Sequence, residues 1–94
     1  MSATKASARH ILLDSEEKAE SVKEEIENGA DFAEMARAHS SCPSSREGGA
    51  LGEFGPGQMV HEFDQVVFLE EVGVVHGPVK TQFGYHLIEI TSRT

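Results

Sequence analysis

The chain has 94 residues, 38% of them apolar, and sets eight basic against sixteen acidic residues, for a net charge of −8 at neutral pH. That length holds one small domain, expected over residues 1–94 with a single modest core, and the composition is globular rather than disordered. The acidic surface disfavours nucleic-acid backbones and anionic membranes, and the lone cysteine, Cys42, excludes an internally disulfide-stapled scaffold.

Ala6 to Leu13 alternates as a strand, with Ala8, His10 and Leu12 on one face and Arg9, Ile11 and Leu13 on the other. Asp14 or Ser15 then caps a helix with Glu16 and Glu17 in its first turn, running to about Asn28 and stopping at Gly29. Its core stripe is thin (Ala19, Val22, Ile26) and its remaining faces are acidic and solvated. Asp31 caps a second helix, with Glu34 at the third helical position and Phe32, Met35, Ala36 and His39 at helical spacing. Ser40 to Glu47 is polar, contains Pro43, and is expected to be a loop or short turn.

Five of the nine glycines fall between Gly48 and Gly57, with Ala50 to Phe54 as a short strand among them. A third helix is expected from about Val60 to Glu70, burying Phe63, Val66 and Val67. Val74 to Lys80 is a strand that Gly77-Pro78 confines to a sheet edge. Thr81 to Gly84 turns the chain into the clearest strand, Tyr85 to Thr91, with His86, Ile88 and Ile90 on one face and Tyr85, Leu87 and Glu89 on the other. The order predicts an α+β domain: one antiparallel sheet of about four strands with helices packed around it. Met1 to Lys5 shows no signal-peptide core and no apolar run would span a bilayer, so a soluble domain of the reducing cytoplasm is expected.

His10 and His86 each sit among apolar residues of their own strand face. If the first and last strands pair, the two rings meet. Either alone reads as a core histidine bonded to a backbone carbonyl; two of them beside a loop cysteine point toward a site. Cys42 has three readings. A nucleophile needs an activating base and an oxyanion hole, and no such signature surrounds it. A zinc site with His10 and His86 lacks paired ligand spacing. The third is a thiol that lines a pocket and sets its polarity. His39, His61 and His76 fall at surface or helix-end positions. The tract from Gly48 to Gly57 is no phosphate loop: it lacks Gly-Lys-Ser/Thr and places Glu53 where phosphates would lie. Leu51, Phe54, Met59, Phe63 and Phe83 gather near turns, either as ordinary core or as an apolar pocket rimmed by loops.

His10-Ile11-Leu12-Leu13, Gly49-Ala50-Leu51-Gly52-Glu53-Phe54, Gly57-Gln58-Met59-Val60, Phe63-Asp64, Gly77-Pro78-Val79 and Phe83-Gly84-Tyr85-His86-Leu87-Ile88 occur in an order and spacing that resembles the parvulins over nearly the whole chain. In size it is similar to the small stand-alone bacterial members. The resemblance implies a four-stranded antiparallel sheet surrounded by helices, of the FKBP-like type, and peptidyl-prolyl cis/trans isomerase activity that assists protein folding. The other class kept open is a weakly catalytic, chaperone-like module that holds unfolded or proline-containing chains. By the same resemblance, His10 and His86 are paired histidines beneath the site, and Cys42 faces the reacting bond. Leu51, Met59 and Phe63 cup the proline ring, Thr81 joins the histidine network, and Phe83 replaces the small polar residue of phospho-directed relatives. Their long basic loop is absent, so phosphoserine-proline specificity is not expected. The implied partners are proline-containing peptides and unfolded chains, met by a monomer that needs no metal or cofactor.

Overall fold

A computed structural model describes residues 5–94. The elements run β1 (Ala6–Leu13), α1 (Glu16–Glu27), α2 (Phe32–His39), a 3-10 turn (Pro43–Glu47), β2 (Ala50–Phe54), α3 (His61–Leu69), β3 (Val75–Thr81) and β4 (Gly84–Arg93). The four strands form one antiparallel sheet in the order β2-β1-β4-β3. The expected architecture is thus the observed one, and β3 lies at an edge. There Gly77 and Pro78 occupy the register break between the pairs His76↔Ile88 and Val79↔His86, where a missing N–H breaks no ladder.

The two sheet faces carry two cores. Ile11, Leu13 and Leu87 face α1 and α2, packing on Ala19, Val22, Phe32 and Ala36. Ala6, Ala8 and Ile88 face the other way, onto Phe54 and onto Phe63 and Val67 of α3. Period-two alternation in β1 and β4 is what splits the apolar residues between the two faces. Local signals set the helix starts: Ser15 Oγ accepts the Lys18 N–H at 3.2 Å, and Asp31 Oδ2 accepts the Glu34 N–H at 3.0 Å. Lys23 Nζ donates to Gly77 O at 2.8 Å, tying α1 to β3.

Three expectations shift. Ile26 and Val66 are half-buried rather than core. Val60 caps α3 from outside it, so the helix is shorter at both ends than the apolar spacing implied. β4 runs on to Arg93, because Ser92 and Arg93 pair with Ser7 and Ala6 beyond an irregularity at Ser7/Ala8. Arg93 Nη1 then donates to Val67 O and Glu70 O at 2.9 and 2.6 Å, satisfying carbonyls at the end of α3. Such polar residues carry no apolar alternation, so only the pairing reveals the strand. Among the described residues no helix is long and apolar enough to cross a membrane.

Candidate active site

β1 and β4 pair with Leu12 opposite His86 and His10 opposite Ile88, which puts the two histidines on one face as diagonal neighbours. Their Nδ1 atoms are 3.0 Å apart and the rings lie nearly parallel, 16° between planes. A bond between two imidazole nitrogens needs one donor and one acceptor, so at least one ring is neutral while it holds. His86 Nε2 continues the chain to Thr81 Oγ1 on β3, at 2.7 Å, and the same oxygen accepts the Phe83 N–H at 3.1 Å. Phe63 stands edge-on to both histidines, at 82° to His10 and 84° to His86.

Above this pair opens a cavity of about 370 Å³ lined by His10, Leu12, Ser41, Cys42, Pro43, Leu51, Met59, Val60, Phe63, Phe83 and His86. The sequence-derived residues His10, Cys42, His86, Leu51, Met59, Phe63 and Phe83 therefore converge on one space. Thr81 does not line it. Thr81 stands behind His86, buried, and reaches the site through that ring and through the Phe83 N–H. Phe83 forms part of the rim and is 61% exposed. Leu12, Ser41, Pro43 and Val60 also line the cavity without having been singled out. Leu12 was legible as a face-mate of His10 and Val60 as a neighbour of Met59 at the start of α3; Ser41 and Pro43 come from a loop path, for which the chain offered no signal.

The walls are held by backbone. The loop before α3 is pinned where the Gly57 N–H meets the Asp64 carboxylate, 3.2 and 3.3 Å from its two oxygens, and where Gln58 Oε1 accepts the Gly55 N–H at 3.1 Å; this sets Met59 and Val60. Ser44 Oγ donates to Cys42 Sγ at 3.2 Å. Among the described residues no lysine or arginine lines the cavity. Among the described residues no three His, Cys, Asp or Glu side chains gather as metal ligands.

Burial, and secondly the neighbouring His86, push the His10 pKa down to about 4 from 6.5. Among the described residues His10 Nε2 has no hydrogen-bond partner, so a proton there would be buried with none of them to accept it. Burial also lowers the His86 value, and Glu62 partly opposes it. Between pH 6.5 and 4 the unfolded chain takes up a proton that the folded His10 refuses. The stability His10 contributes is thus full above pH 6.5 and is lost as pH falls toward 4, by roughly 3 kcal/mol. Urea midpoints at pH 7.5 and 4.5 check this, against a His10→Gln variant whose loss over the same range should be smaller. Equal losses would contradict it.

A model of the rotamase family, the PPIC-type PPIase domain, matches residues 2–92. Foldase protein PrsA 4 of Bacillus cereus is 46% identical over 90 residues, 95% of this chain and 32% of that protein. The crystal structure of the peptidylprolyl isomerase PrsA from Bacillus anthracis matches with a TM-score of 0.94 at 33% identity, over 98% of this chain and 43% of that one. The solution structure of the parvulin of Nitrosopumilus maritimus matches with a TM-score of 0.85 at 33% identity, over 95% of this chain and 97% of that one. The chain spans about a third of the length of the curated relatives it matches.

Proposed function

Since the chain belongs to the rotamase family of PPIC-type peptidyl-prolyl isomerase domains, the parvulins, we propose that it accelerates cis/trans rotation about X–Pro bonds in peptides and unfolded chains, with the His10–His86 cavity as its active site. The observation that carries this is the cavity itself: apolar side chains from β2, the following loop and α3 around a floor of two hydrogen-bonded imidazoles.

Resonance gives the amide a rotation barrier of about 18–20 kcal/mol. No bond has to break, so the domain need only hold the twisted amide better than either planar form. Twisting localises the nitrogen lone pair and reduces the carbonyl dipole. An apolar cup solvates the polar planar amide poorly and so favours the twisted state. Leu51, Met59 and Phe63 grip the proline ring while the carbonyl end turns. The histidine pair, backed by Thr81, keeps that floor rigid. Cys42 borders the space of the turning carbonyl and sets its polarity without attacking it. With no cationic side chain among the described residues of the cavity wall, a phosphate before proline gains no partner, and Phe83 fits an apolar or unrestricted residue there.

A protease-coupled or exchange-NMR assay on X–Pro peptides tests the proposal: acceleration by catalytic amounts supports it, and binding without acceleration supports the chaperone-like module instead. Cys42→Ser should keep kcat/KM within about tenfold of the parent, a change of about 1.4 kcal/mol in barrier. A folded but inert Cys42→Ser protein would mean that the thiol acts as a nucleophile.

A further inference from the structure

β1 loses its neighbour on one side halfway along. β2 begins at Ala50, opposite Arg9, and cannot serve the strand beyond that point. His10 N–H finds Gly49 O at 2.9 Å. The next amide on that edge belongs to Leu12, and a side chain receives it: Leu12 N–H donates to Ser40 Oγ at 3.0 Å. Leu12 O in turn accepts the Ser41 N–H at 2.8 Å. The two residues after α2 thus stand in for the missing strand. The same Ser40 oxygen also accepts the Cys42 N–H at 3.3 Å. Two N–H donors use both lone pairs of that hydroxyl. Ser40 is itself fixed, because its N–H donates to Ala36 O at 2.9 Å as the cap of α2.

We propose that Ser40 is a positioning residue for the isomerisation: its Oγ locks the Cys42 wall of the cavity to β1, the strand that carries His10. This rests on the isomerase reading of the cavity. Ser40 is absent from the cavity lining, so it acts through Cys42 and Leu12. Loss of the hydroxyl leaves two amides without their acceptor, and Ser41, Cys42 and Pro43, all cavity-lining, can then drift from the histidine floor. Misplacement of a wall by an ångström can cost about a hundredfold in rate. One released clamp, with Ser41 still bonded to Leu12 O, should cost roughly a tenth of that.

The test uses Ser40→Ala and Ser40→Thr in the full chain, well below the melting temperature of each variant. Two readouts are taken: kcat/KM on an X–Pro peptide, and the rate at which iodoacetamide alkylates Cys42, the only cysteine. Ser40→Ala should lose about tenfold in kcat/KM and alkylate severalfold faster, while Ser40→Thr, which keeps the hydroxyl, should restore both. Parental values of either readout in Ser40→Ala would overturn the proposal, since the clamp would then not govern Cys42 or Cys42 would not matter to rotation. If Ser40→Ala is too unstable to assay, Ser40→Cys in a Cys42→Ser background, compared with Cys42→Ser alone, gives the same kcat/KM comparison: a weaker acceptor there should lower activity, and no change would overturn the clamp. A parent chain that fails to accelerate rotation would sink the isomerase reading, whereas the alkylation comparison still tests the clamp by itself.

Discussion

Phe63→Ala is expected to lower both stability and kcat/KM, each by about 2–4 kcal/mol, the latter a loss of roughly thirty- to a thousandfold. Phe63 is 3% exposed, touches Phe54, and presents an edge-on contact to each of the two histidines. It is therefore at once core, the side wall of the proline cup and the brace of the imidazole pair. Truncation leaves a void beside two rings joined by one 3.0 Å bond, with only His86 tied further, to Thr81. A small domain has about 5–15 kcal/mol of stability in total, so the variant should still fold in the cold. Phe63→Leu, which keeps most of the apolar volume, should recover stability more than activity. Stability is read from urea midpoints and activity from the protease-coupled assay corrected for folded fraction. Turnover equal to the parent in folded Phe63→Ala would remove Phe63 from the site.

The second large effect belongs to a residue without a side chain. Gly49 has φ +86°, and a Cβ there would lie 2.3 Å from His10 O and 3.3 Å from Ala36 Cβ. Its own carbonyl accepts the His10 N–H. Gly49→Ala must therefore strain its backbone and also push the strand segment that carries a site histidine. Gly52, three residues on, has φ +73° but open space where its Cβ would be. Gly52→Ala should cost about 1–2 kcal/mol, the left-handed penalty alone, and Gly49→Ala 3 kcal/mol or more. Only Gly49→Ala should also depress kcat/KM once corrected for folded fraction. Equal losses in the two variants would show that the contact with His10 is slack.

Much of this was legible in the chain. The alternation in Ala6–Leu13 and Tyr85–Thr91 marked two strands with one histidine each on a defined face, so their meeting required only that the strands pair. Asp31 and Ser15 announced their helices because capping is a matter of a few adjacent residues. Leu51, Met59 and Phe63 could be grouped through the resemblance to parvulins, but nothing local says that α3 docks on the histidine face rather than the opposite one. Thr81 could be tied to the histidines, yet its position behind His86, away from the cavity, follows from the pairing of Val79 with His86 across the β3 register break.

The sequence by itself determined which residues alternate, where helices begin, and which polar groups fall among apolar neighbours, since each of these depends on residues within one or two turns of chain. Tertiary structure alone decided the diagonal β1–β4 register that brings two nitrogens to 3.0 Å, the edge-on bracing by Phe63, the wall formed by Ser41 and Pro43, and the use of Ser40 as a substitute strand. Those are relations between distant segments, His10 and His86 lying 76 residues apart in the chain, and they are fixed by how the two cores fill together, a condition that no local pattern contains.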